Sequence, residues 1–197
     1  MAEDYASVET LRLMRKTQED DPRDGLLQRA LTSASRSIDK TCGRRFWLDP
    51  EPVTRVYRVA GRTVPEDDGE VLLVNDIGDA SGLVVETGSG ASWSPLSASQ
   101  VETVPENALL DGRPVTGLLL VGGSWTSRRV QVTARFGWPA IPDDIEQATL
   151  IQANRLFKRQ DSPEGVTGSA EWGVVRLSRR DPDVWNLIEQ YVLPGFG

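Results

Sequence analysis

The spacing of apolar positions changes twice along this chain, from helical to extended and back to helical. Between Ser7 and Cys42 they recur every three or four residues. Ser7 is placed to cap a helix over about Val8–Lys16, with Val8, Leu11 and Met14 on one face. The polar run Thr17–Asp24, which contains Pro22, ends it. Leu27, Leu31, Ala34, Ile38 and Cys42 then mark a second helix, and Gly43 stands where a left-handed C-cap belongs. Arg36, Lys40, Arg44 and Arg45 gather toward its C-terminal half, where positive charge favours the helix dipole.

From Phe46 to Arg135 the period shortens. Val53–Ala60 reads as a half-buried strand alternating apolar and basic residues. Apolar runs at Val71–Val74, Leu83–Glu86, Gly117–Val121 and Val130–Arg135 are separated by Gly, Pro, Ser and Asp clusters of the kind that build turns. Six or seven short strands at this spacing predict an antiparallel sheet or small barrel.

After Pro142 the helical period returns. Asp143 and Glu146 read as a capping pair, Ile145, Ala148, Ile151 and Arg155 mark the faces, and Leu156 and Phe157 close the apolar side before Lys158 and Arg159 end the helix. The segment Gln160–Ala170 reads as a loop and Trp172–Leu177 as a further strand. Asp181-Pro182-Asp183 opens a last short helix, with a capping Asp and Pro in the first turn, and Trp185, Ile188 and Tyr191 line up three apart along it. The resulting class is α+β: a helical bundle formed by the N- and C-terminal helices, with a β-rich antiparallel insertion between them. The parts are 1–47, 48–135 and 136–197, taken together as one composite domain.

Composition narrows the chemistry. The 197 residues include no His and a single Cys, so no internal disulfide and no Ser-His-Asp or Cys-His site can be written. Cys42, on the apolar stripe, reads as a small core filler. No cofactor or metal site is expected, and the chain is read as not being an enzyme. The net charge is −7, unevenly spread. Residues 48–127 hold twelve acids against four arginines, and residues 26–47 hold five bases against Asp39. The acidic middle argues against wrapping nucleic acid, since phosphate contacts need clustered Lys and Arg. It suits a solvated surface, or a wall that DNA passes without sticking. The N-terminal stretch lacks the basic and apolar regions of a secretory signal, and no run approaches the roughly 20 apolar residues of a membrane span. A soluble protein is expected, with no membrane partner.

Three pieces in order carry a resemblance. These are Ala34-Ser35, Ile38-Asp39 and Cys42–Phe46 (AS-x-x-ID-x-x-CGRRF), then FGWPAIPDDIEQATLIQANRLFKRQDSPEGVTG, then DPDVWNLIEQYVLPG. Together they resemble the head-to-tail connector (adaptor) proteins of long-tailed bacteriophages, over roughly half the chain. The resemblance implies a homo-oligomeric ring, of twelve copies, in the neck of the virion. The portal protein would lie above it and a stopper or tail-completion protein below, with DNA passing through the lumen and no sequence-specific binding. It also implies synthesis in the host cytoplasm and assembly at the head–tail junction. A C-terminal element that engages the portal is expected at Trp185, Ile188, Tyr191, Val192, Leu193, Pro194 and Phe196. The loop Asp161, Ser162, Pro163, Glu164, Gly165 and Val166 is expected to meet a neighbouring subunit or the channel.

Three rival readings stay open at this stage. One is another neck or tail protein, a stopper or tail terminator. Another is a free-standing β-rich module that binds glycans through Trp93 and Trp125. The last is an enzyme using Asp67-Asp68 or Asp143-Asp144, which suffers because neighbouring carboxylates do not flank a glycosidic bond.

Overall fold

The computed structural model describes residues 3–16, 24–90, 92–160, 166–167, 175–176 and 181–194. The chain is α+β and divides into two compact units, Met1–Phe46 with Ile141–Gly197, and Trp47–Ala140.

The first unit holds α1 (Val8–Arg15), α2 (Asp24–Cys42), α3 (Asp143–Gln160) and α4 (Pro182–Ile188). The Ser7 hydroxyl accepts the Thr10 N–H at 3.0 Å and starts α1. Gly43, at φ 67°, ends α2 in the left-handed region, where a side chain would be strained. α3 packs against each of the other three helices. That central place explains its sequence. Ile145, Ala148, Thr149, Leu150, Ala153 and Phe157 are all buried, so the small Ala and Thr positions are as much core as the large ones. The Thr149 hydroxyl satisfies itself on the Ile145 carbonyl at 2.8 Å, and Ser35 does the same on Leu31 at 3.0 Å. Leu11, Leu27, Leu31, Ala34 and Phe157 complete one core cluster. One expectation is corrected: α3 begins at Asp143 itself, with the Ile145 and Glu146 N–H groups on the Pro142 carbonyl. Asp143 is therefore a first-turn acid that favours the helix dipole.

The second unit is a seven-stranded antiparallel sheet: β1 (Val53–Arg58), β2 (Thr63–Glu66), β3 (Gly69–Gly88), β4 (Trp93–Pro95), β5 (Val101–Val104), β6 (Val115–Val121) and β7 (Arg129–Phe136). β3 runs 20 residues and changes neighbours midway. Its first part pairs with β2 and β6, and β5 lies beyond β6; its second part pairs with β4 and β7, and β1 lies beyond β7. Register shifts between Leu73 and Ile77, and again up to Val84, bend the strand at that hand-over. Both parts share one core, with Leu72 and Leu118 from the first and Tyr57, Val85, Val130 and Val132 from the second.

Sequence and structure differ in instructive ways here. The runs at 71–74 and 83–86 are one bent strand, because Gly78, Gly82 and Asp79 between them serve a bend and not a reversal. β2 and β4 escaped the pattern because each is a short edge strand carrying Pro. On β1 the inward parity includes Arg55, whose guanidinium lies 4.0 Å over the Phe136 ring and 3.8 Å from Asp49, while Val56 faces out and is 51% exposed. Trp138, at the exit of β7, is buried, with its indole N–H on Asp76 at 3.2 Å. Gly137 beside it has φ 118°, and a Cβ there would stand 2.0 Å from the Trp47 carbonyl oxygen. A separate two-stranded ribbon, β8 (Val166–Thr167) with β9 (Val175–Arg176), lies within the predicted loop and strand.

Candidate functional site

The residues of the Ala34–Phe46 motif are explained by what they hold. The Tyr5 backbone N–H donates to the buried Ser35 hydroxyl at 3.1 Å, and the Tyr5 phenol donates to Asp39. The same phenolic oxygen accepts the Phe46 N–H at 2.9 Å. Arg36 grips the arrangement from outside, donating to the Glu3 carbonyl at 2.7 Å and pairing with Asp39 at 3.3 Å. Burial pushes the Tyr5 phenol well above its usual range, and its hydrogen bond to Asp39 pushes the same way. Burial also raises the Asp39 carboxyl, against the opposing pull of the Tyr5 hydroxyl, Arg36 and Arg45. Such groups are set up for holding shape. The Cys42 thiol is buried and pushed up to about 11 by that burial, so it is not a ready nucleophile.

The C-terminal segment is tied to the same spot. Asp181 caps α4 through the Asp183 and Val184 N–H groups and pairs with Arg155 at 3.2 Å. Val184 and Ile188 are buried in the first unit's core. A shallow groove of about 110 Å³ runs beside them, lined by Ile38, Thr41, Gln152 and Trp185 among others. After α4 a single 3-10 turn, Glu189–Tyr191, brings the Tyr191 ring edge-on to Phe46 at 5.4 Å. Phe46 in turn meets Tyr5 edge-on at 5.7 Å, so three rings form a file. Asp144 receives both the Gln190 amide at 2.9 Å and the Tyr191 hydroxyl at 3.3 Å. The Leu193 N–H then donates to the Cys42 carbonyl at 2.9 Å, satisfying a helix-end acceptor of α2.

The seven residues expected at a portal interface therefore separate. Leu193 and Pro194 are exposed, Trp185, Tyr191 and Val192 are half-buried, and Phe196 lies outside the described residues. Ile188 is corrected: it is 3% exposed and faces its own chain's core, so it presents no surface to a partner. Of the expected loop, Asp161, Ser162, Pro163, Glu164 and Gly165 lie outside the described residues, and Val166 begins β8. The sequence reading missed Tyr5, which stands alone in a polar stretch with no periodic partner, and the Asp144 acceptor, which reads as one more first-turn acid.

The rival chemistries find little support. Trp125 is 5% exposed, with its indole N–H on the Glu70 carbonyl at 2.8 Å, so it offers no open stacking platform; Trp93 is half-buried. Asp67 and Asp68 sit on the exposed β2–β3 turn and Asp143 and Asp144 in the first turn of α3. Many of the acids are structural: Asp79 pairs with Arg135 at 3.1 Å, and Glu86 accepts the Gln131 amide at 2.8 Å. Among the described residues no group of acids and cysteine is placed to hold a metal ion, and no helix is long and apolar enough to cross a membrane.

No family model matches the chain, and no curated protein does. Solved structures match in fold. The chain is similar, over 98% of its length and 92% of the other chain, to a protein in the neck of an empty GTA particle computed with C6 symmetry, with a TM-score of 0.56 and 18% identity. It is similar over the same shares to a protein in the virion of a native gene transfer agent (GTA) particle, with a TM-score of 0.51 and again 18% identity. At that identity the likeness is one of fold.

Proposed function

We propose that the chain is a structural subunit of the neck of a phage-like particle, and specifically a head-to-tail adaptor. In this reading its copies form a ring, of twelve, between the portal above and a stopper or tail-completion protein below, and DNA passes through the lumen. The observation that carries it is the likeness of fold, along nearly the whole chain, to a protein in the neck of a GTA particle. A neck computed with C6 symmetry agrees with a ring whose copy number is a multiple of six. The site chemistry is in keeping with it, since the polar side chains of Tyr5, Ser35, Arg36 and Asp39 are committed to holding segments together.

The four helices act as one bundle, the rigid block of the ring. The segment from Trp185 to Phe196 engages the portal, through Trp185, Val192, Leu193, Pro194 and Phe196 and the outer side of Tyr191. The Asp161–Val166 loop faces a neighbour or the channel. The test is docking on isolated portal rings, followed by imaging. The intact chain should add a stacked ring, and a variant lacking residues 192–197 should fail to dock. A particle image placing the protein outside the neck would overturn the reading; undiminished docking of the shortened chain would overturn the C-terminal role alone.

A further inference from the structure

Two sets of charged side chains in the β unit stand without an ion-pair partner among the described residues, whereas Arg55 pairs with Asp49 at 3.8 Å and Arg135 with Asp79 at 3.1 Å. The first set is basic. Arg58 and Arg129 are exposed and oppose each other across β1 and β7. One step further along, the Val59 N–H donates to the Arg128 carbonyl at 3.3 Å. Arg58 and Arg129 therefore form a pair without backbone hydrogen bonds, where the Cα atoms stand only about 4.5 Å apart. Like charges set opposite each other at that spacing work against the fold. Beyond Arg129 the row continues to Gly88 and Trp93, and the indole lies across the glycine, since a Cβ there would stand 2.8 Å from its Cε3. Neighbouring charges leave the arginines as they are. Glu86, in the adjoining row, accepts the Gln131 amide at 2.8 Å, and Arg62 lies 5.6 Å over the ring of Tyr57, which alternates with Arg58 and so faces the other way.

The second set is the tip of the β2–β3 hairpin. Glu66 and Gly69 close it and Asp67 and Asp68 make the turn, with all three acids exposed. The tip is held in place. The Asp68 carbonyl accepts the Gly122 N–H at 2.7 Å, and Gly69 presses on β6 so closely that a Cβ would stand 2.1 Å from the Leu120 carbonyl oxygen. A preformed tip loses little freedom on docking. Its two adjacent carboxylates, about 3.8 Å apart at Cα, match two guanidinium groups about 4.5 Å apart, each able to hold a carboxylate through paired N–H bonds. The two sets belong to one chain but make no ion pair within it. A second copy satisfies both, tip on arginines, and makes the head-to-tail contact that a closed ring requires. A phosphate-bearing partner would answer the arginines and leave the acids unmatched.

We propose that the β2–β3 hairpin tip of one copy seats on the arginine row of the next, with Asp67 and Asp68 meeting Arg58 and Arg129 beside Trp93. This rests on the ring reading above and supplies a contact between neighbours.

The test is a charge swap in the full-length chain, read by sedimentation velocity with circular dichroism as the control for folding. Wild-type chains should associate at about 20 mM salt and separate at about 300 mM, because exposed charges are screened. Asp67→Lys with Asp68→Lys, and separately Arg58→Glu with Arg129→Glu, should each weaken association by at least about tenfold, since like charges then face each other. Mixing the two variants should restore it, because each offers the surface that the other lacks. Variants that associate as well as wild type, or a mixture that fails to recover, would overturn the proposed joint and leave the neck reading intact. A loss in the arginine variant alone, together with wild-type binding to a DNA duplex of about 20 base pairs that this variant no longer binds, would assign the row to phosphates and equally overturn it. Wild-type chains that stay monomeric up to about 1 mM at low salt would overturn the pairing, while the neck reading would still be decided by where the protein sits in particles.

Discussion

Replacing Phe46 with Leu should release the C-terminal segment without unfolding the chain. The Phe46 ring is fully buried between Tyr5 and Tyr191, edge-on to both. Leu keeps most of the apolar surface but forfeits two aromatic pairs, each worth about 0.5–1.5 kcal/mol beyond area burial. The expected loss is therefore about 1–3 kcal/mol. The informative probe is local. The Leu193 N–H is held by the Cys42 carbonyl, and the turn bearing Tyr191 connects it to the ring file. If the segment opens as a unit, that loss should speed amide exchange at Leu193 by about 5- to 150-fold, at roughly 1.4 kcal/mol per decade. Amides in the middle of β7 should exchange as before. Tyr191→Phe, which keeps the ring and loses only the hydroxyl bond to Asp144, should cost no more than about 1 kcal/mol. Unchanged exchange at Leu193 in the Phe46→Leu protein would refute the idea that the ring file holds the segment down.

Further outcomes follow from single contacts. Asp79 is held below the usual carboxylate range, first by hydrogen bonds from Ser81 and then by Arg135. A depressed folded-state value adds stability that is present above the unfolded value and lost as pH falls through the folded one. Asp79→Asn should therefore cost about 1 kcal/mol at pH 7, with the gap to wild type closing below about pH 4 in urea titrations. Gly137→Ala should destabilise by at least about 2 kcal/mol, since it combines a left-handed backbone with a clash against Trp47; a neutral thermal melt would contradict that. Asp181→Ala should remove about 1 kcal/mol with the α4 cap, measurable as faster exchange at Asp183 and Val184. Native Cys42 should resist thiol reagents at pH 8 and react only on unfolding, because its thiol is buried and its pKa is raised to about 11; prompt labelling of the folded chain would show the pocket to be open.

What could be read from the sequence followed from how local its cause is. Ser7, Gly43 and Asp181 announce helix ends because a cap is settled within four residues, and each one behaves accordingly. The α2 stripe was legible for the same reason. α3 was only half legible: its period was clear, but a helix packed by three others buries Thr149 and Ala153 as fully as Ile145, and hydropathy cannot mark a buried threonine that bonds its own carbonyl. β3 was misread because Gly-Asp-Ala-Ser-Gly has the composition of a turn, and only cross-strand partners far away in sequence convert it into a bent strand.

The same distinction separates the two parts of the site. Trp185 and Tyr191 stood out as bulky residues on a short helix, yet the structure ties Tyr191 to Phe46 and Asp144, and it buries the Ile188 between them. A stripe of large apolar residues says that something must cover it, and here α4 packs on α3 while Tyr191 meets Phe46 and Asp144. That Val64, Val71, Leu119 and Glu102 lie in one row could not be read from the sequence, because they come from four strands and no two are adjacent. On a sheet, a row is written across strands, so its residues are scattered along the chain by the same topology that sets them side by side. Local motifs therefore mark the capped helices, while only the register of the strands tells which residues of the sheet lie together.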